Sequence, residues 1–181
     1  MVMHTKSGGD LEVMGMMQGK VKGDTFYVLD AIPLPVEGTE TRVNAKADSD
    51  EYMINHLECC EKVNRPENVV GWYHSHPGYG CWLSGIDVNS EILYQKVQDP
   101  CMAIVIDPHR TMSAGKVEIG CFRTYSETHI KKIEEQQKDS KQTSDVAVPM
   151  EKFEELGLHY HKYYKLETSF YKTALDNQLL D

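Results

Sequence analysis

The chain has 181 residues, enough for one domain with its own core, and 19 Lys and Arg against 28 Asp and Glu set a formal charge of −9. That balance argues against a nucleic-acid partner, whose affinity comes largely from cations displacing counterions, and favours a protein or peptide. Five cysteines with no CxxC speak against a disulfide framework or a zinc ribbon and fit a reducing compartment.

The first seven residues read as the end of a helix broken at Gly8 and Gly9. Leu11 to Val21 and Thr25 to Leu34 read as strands joined at Lys22, Gly23 and Asp24, a hairpin. Residues 35–48 carry turn formers and charge and predict a surface loop. Asp50 to Val63 places Tyr52, Met53, Leu57, Cys60 and Val63 at spacings of three and four, an amphipathic helix. "NVVGWYHSH" is a third strand, followed by a glycine-rich loop and a helix over "SGIDVNSEILYQKV".

The unbroken apolar run Cys101 to Ile106 predicts a strand covered on both faces, and is too short to cross a bilayer. The amino terminus lacks an apolar h-region, so a soluble intracellular protein is expected. "GKVEIGCFRTY" alternates as a half-buried strand with Val117, Ile119 and Cys121 inward. Residues 126–148 turn to Lys, Glu, Gln, Ser and Thr and predict a mobile insert. "YYKLETSFYK" resumes period-two alternation, and a further helix starts at Thr173. Intermingled strands and helices predict one α/β domain, a sheet flanked by helices.

The densest chemistry lies in "GWYHSHPGYGCWLSGIDV", Gly71 to Val88. Residues two apart on a strand share a face, so His74 and His76 can aim at one point. Pro77, Gly78 and Gly80 turn the chain, and Asp87 enters at the first turn of the next helix. Two imidazoles and a carboxylate form the three-ligand set of a catalytic zinc. A second HxH, His159 and His161, has no such carboxylate after it. Ser84 and Asp87 also have the spacing of a capping box, a role compatible with the metal one because a helix amino terminus holds an aspartate ionised. Glu12, an acid in otherwise apolar sequence, is either a solvent-facing strand residue or a buried group with a task.

The combination of Glu12, His74-Ser75-His76-Pro77, Ser84 and Asp87 resembles the JAMM motif of the MPN-domain metalloproteases. The flanking words "LPVEGTETRVNA" and "SAGKVEIGCFRTY" are similar to the signalosome-type members, over nearly the whole chain. The resemblance implies an MPN fold, a curved mixed β-sheet flanked by helices of cytidine-deaminase-like kind, and a zinc isopeptidase that removes a neddylation tag from cullin lysines. On that resemblance His74, His76 and Asp87 would hold one Zn2+, Glu12 would be the general acid/base, and Ser84 would support the oxyanion. Partners implied are the other signalosome subunits, including a second MPN-domain subunit, and neddylated cullin, in cytoplasm and nucleus. On the resemblance residues 35–48 would be a first insertion gating substrate, in which Glu40 and Arg42 could form or break an ion pair. Further sequence is expected at both ends of the domain.

A proteasome-lid-type deubiquitinase shares the motif, and a metal-free MPN scaffold shares the fold; these are the alternatives. A cytidine deaminase would need H-x-E with P-C-x-x-C, and "DPCMAIV" supplies only the first cysteine.

Overall fold

The computed structural model describes residues 1–35, 47–65, 67–140 and 159–171. A short helix α1 (Val2–Ser7) precedes strands β1 (Met14–Lys22) and β2 (Thr25–Pro33), followed by helix α2 (Ala47–Lys62) and strand β3 (Asn68–Ser75). Helix α3 (Gly85–Val97), strand β4 (Met102–Ile106), helix α4 (Pro108–Ala114), strand β5 (Ile119–Thr124), helix α5 (Glu127–Ser140) and strand β6 (Tyr163–Leu166) complete it. The six strands form one sheet in the order β2-β1-β3-β4-β5-β6. All neighbours pair antiparallel except β3 and β4, whose connection carries α3 across one face, as a parallel pair requires.

The hairpin between β1 and β2 closes as expected, with Lys22 opposite Thr25 and Gly23 at φ +58°, a conformation that costs glycine nothing. Side chains alternate across the sheet into two cores. Met14, Met16, Trp72, Ala103, Val105 and Phe122 face Leu83 and Val88 around α3, with Met53 of α2 packed against them. Met17, Tyr73, Ile104, Ile106 and Cys121 fill the other face, covered in part by Met1 and Val2. All five residues of β4 are buried, as the apolar run predicts.

The structure corrects several expectations. Strand β1 starts at Met14, so Glu12 precedes it, although Val13 is tied to Ser75 through Ser75 N to Val13 O (3.0 Å) and Val13 N to Ser75 Oγ (2.9 Å). Strand β5 is covered on both faces, because Phe122 packs with one core and Cys121 with the other. Helix α2 turns Tyr52 and Val63 outward, leaving Met53, Leu57 and Cys60 toward the body. Helix α4 was not expected; it starts at Pro108, is capped by Asp107 and ends at Gly115 with φ +64°. Where composition predicted a mobile insert, α5 forms and buries Ile130. Glu40 and Arg42, and the helix expected from Thr173, lie outside the described residues. Among the described residues no helix is long and apolar enough to cross a membrane.

Candidate metal centre

The site forms where the end of β3 meets the start of α3. His74 pairs with Met14 on one side and with Val105 on the other, which fixes the strand carrying it in the middle of the sheet. His74 and His76 are both buried, on the face shared with Trp72, whose ring stacks on His74 at 4.9 Å and 14°. The Trp72 indole is in turn held by Glu91 of α3, its Nε1 donating to Oε2 at 2.8 Å. Glu91 is fully buried, and burial pushes its carboxyl up to about 8 against the lowering effects of the Trp72 hydrogen bond and of Arg123.

The Nε2 atoms of His74 and His76 lie 3.0 Å apart, and Asp87 Oδ2 is 3.4 Å from the first and 3.8 Å from the second. A tetrahedral zinc bound at about 2.0 to 2.2 Å needs ligand atoms about 3.4 Å apart. The three separations bracket that value. Among the described residues this is the one cluster of three such side chains that could hold a metal ion; His159 and His161 form none.

The electronic states of His76 and Asp87 also fit. His76 Nδ1 is 3.0 Å from the Gly80 carbonyl, an acceptor only, so Nδ1 carries the proton and Nε2 presents its lone pair to the cluster. Burial lowers the pKa of His76, favouring that neutral form. For Asp87 burial alone would oppose ionisation. The His74 imidazole and the hydrogen bonds the carboxylate accepts, that of Ser84 among them, outweigh it and hold the carboxyl well below the usual range. Neutral imidazole and ionised carboxylate are the forms a metal takes.

Ser84 and Asp87 make the full capping box. Ser84 N and Oγ donate to Asp87 Oδ2 at 2.8 and 2.6 Å, and Asp87 N returns to Ser84 Oγ at 3.2 Å. In this structure the Ser84 hydroxyl therefore points at the carboxylate.

Glu12 is 4% exposed, which removes the solvent-facing reading. It lines an open cleft of about 490 Å3 together with Asp10, His76, Pro77, Tyr79, Trp82 and Ser84. Burial raises its carboxyl, while a hydrogen bond from the Tyr79 hydroxyl to Oε1 pulls the other way. Tyr79 stacks on His76 at 4.5 Å, and Trp82 Nε1 donates to the Tyr79 carbonyl at 2.7 Å. Of the neighbouring residues, Leu83 is core and Trp82 lines the cleft. Cys81 directs its thiol at the Glu118 carbonyl, and burial pushes it up to about 12, away from nucleophilic use.

Sequence reasoning passed over Tyr79, Trp72, Glu91 and Asp107. Only Asp107 had a local signal, since an aspartate followed by proline marks a helix start.

A mixed sheet that delivers an HxH pair and a helix-capping aspartate to one point beside a buried glutamate has the architecture of an MPN-type domain. A family model described as "JAB1/Mov34/MPN/PAD-1 ubiquitin protease" matches residues 1–100, and the chain belongs to that family. It is 56% identical over 181 residues to "COP9 signalosome complex subunit 5a" of Arabidopsis thaliana, covering 100% of this chain and 49% of the relative. "COP9 signalosome complex subunit 5" of Drosophila melanogaster is 55% identical over 181 residues, 100% of this chain and 54% of the relative. The Yarrowia lipolytica protein of the same name is 54% identical over 180 residues, 99% of this chain and 50% of the relative. The chain thus spans about half the length of these relatives.

Proposed function

We propose that the chain is the catalytic domain of a zinc-dependent isopeptidase of the signalosome type, which removes a ubiquitin-like modifier, the neddylation tag, from cullin lysines in cytoplasm and nucleus. The observation that carries the reading is the convergence of His74 Nε2, His76 Nε2 and Asp87 Oδ2 beside a cleft that also holds a buried glutamate. The names of the relatives support the signalosome assignment; the partners proposed from the family resemblance are other signalosome subunits, a second MPN-domain subunit among them.

A zinc ion held by His74, His76 and Asp87 would supply Lewis acidity, polarising the scissile carbonyl and bringing a water's pKa toward about 7. Glu12 is the proton carrier of this chain. Its raised pKa brings it closer to neutrality, the condition for taking a proton from the attacking water and returning it to the leaving lysine amine. The Ser84 hydroxyl stabilises the developing oxyanion, for which it must turn from Asp87 Oδ2 toward the cleft it lines. Tyr79 and Trp82 wall the cleft and keep His76 shielded. No thiol is needed as nucleophile.

The test is zinc content by elemental analysis together with cleavage of neddylated cullin and of ubiquitin chains, by this chain alone and with signalosome subunits. Stoichiometric zinc with preference for neddylated cullin is the expected result. A protein that takes up no zinc overturns the reading, and preference for ubiquitin chains replaces it by the proteasome-lid type.

A further inference from the structure

A buried acid that the reaction does not use holds the turn behind the metal ligands. Asp107 follows β4 and is 0% exposed. It caps α4 by accepting Arg110 N at 2.9 Å, and a cap needs only that bond. Both of its oxygens nevertheless reach back across the chain. Oδ1 accepts from Gly78 N at 3.0 Å and Oδ2 from Gly80 N at 2.8 Å. Arg110 Nε stands 3.3 Å from Oδ2 and supplies the countercharge. Gly78 and Gly80 sit at φ +89° and +85°, so the turn is held in a region that only glycine enters freely. The carbonyl of the clamped Gly80 is the one that receives His76 Nδ1, and His76 N donates to Ile106 O at 2.9 Å, one residue before the clamp.

We infer that Asp107 is a positioning residue of the metal centre. By clamping the two glycine amides it aims the Gly80 carbonyl at His76 Nδ1, which keeps the proton on that nitrogen and leaves the Nε2 lone pair for the ion. Fixing a ligand's tautomer through its far nitrogen is how outer residues tune a metal site, and here the orienting carbonyl is itself oriented by a carboxylate 27 and 29 residues away along the chain. The inference rests on the metal reading above, but it also makes a claim about the metal-free protein: His76 exists there as the Nδ1–H tautomer.

The experiment records ring 15N shifts of His76 in the metal-free chain and zinc affinity by chelator competition, for the parent and for Asp107→Asn. The substitution keeps the size and one acceptor oxygen but turns an amide NH2 toward a glycine N–H. The parent is expected to show the Nδ1–H tautomer alone, and the variant to lose that preference and bind zinc about 10- to 100-fold more weakly. Gly19→Ala, whose new methyl would run into the Tyr27 carbonyl toward the far end of β1, is the control for general destabilisation and is expected to keep the parent's tautomer. A folded Asp107→Asn protein with parental tautomer and zinc affinity overturns the inference. So does an Nε2–H tautomer in the parent, a result that needs no variant and decides the matter if Asp107→Asn does not fold. Failure of the parent to bind zinc strikes the metal reading instead, and the tautomer still decides what Asp107 does.

Discussion

Ser84 Oγ lies 2.6 Å from Asp87 Oδ2, the same oxygen that stands 3.4 Å from His74 Nε2. One carboxylate oxygen thus serves both the helix cap and the candidate metal cluster, so the two readings of the S-x-x-D spacing are one structure. Helix formation from Gly85 onward places the ligand, and the ligand's charge in turn stabilises the helix start.

Ser84→Ala removes the cap and is expected to cost about 0.5 to 2 kcal/mol of stability. Because the hydroxyl also orients Asp87, zinc affinity should fall together with the melting midpoint, and Ser84→Thr should restore both. Thermal melts and chelator competition on the same preparations check this. Loss of stability with parental zinc affinity would separate cap from ligand.

Glu12→Gln is nearly isosteric and leaves the three ligands untouched, so the protein should keep its zinc. Turnover of an isopeptide substrate should drop roughly a hundred- to ten-thousandfold, the range for losing a general acid/base. His76→Ala should lose both metal and turnover. Glu12→Gln protein cleaving at the parental rate would place the proton carrier elsewhere.

Tyr79→Phe deletes the hydroxyl that donates to Glu12, a hydrogen bond that lowers the glutamate's pKa against the upward effect of burial. Without it the pKa rises further. The base is then protonated up to a higher pH, and the acid limb of the pH–rate profile should move to the alkaline side. An unmoved limb in a zinc-replete Tyr79→Phe protein would show that the limb does not report Glu12.

Glu91 carries a pH dependence of stability. Its carboxyl rises from 4.5 to about 8 through burial, so between those values the unfolded chain has released the proton that the folded chain retains. The unfolded state binds fewer protons, and stability must therefore fall as pH rises through that window, by at most about 1.4 kcal/mol per pH unit from this group. Glu91→Gln keeps an acceptor for Trp72 Nε1 and should flatten the slope. Urea unfolding of both proteins at pH 5, 6, 7 and 8 measures it; parallel slopes would acquit Glu91.

Much of the candidate ligand set could be read locally. His74 and His76 share a face because a strand repeats every two residues, and Asp87 follows Ser84 at the spacing of a cap. The apolar run of β4 announced its own burial. By contrast β5 looked half-buried, since Gly120 and Glu118 between the apolar residues hide the fact that Phe122 meets a second core. Helix α5 was missed because its charged composition shows little of the apolar face that marks a packed helix.

What the sequence determined by itself, then, was the chemistry of the stretch Gly71 to Val88, in which spacing and backbone periodicity dictate which side chains can converge. Only the tertiary structure decided that Glu12 is buried in the same cleft, that Trp72 and Glu91 back His74, and that Asp107 clamps the turn behind His76. The reason is physical: those relationships join residues far apart in the chain, and they arise when the pairing of β1, β3 and β4 brings the segments together. Local spacing carries no record of that pairing.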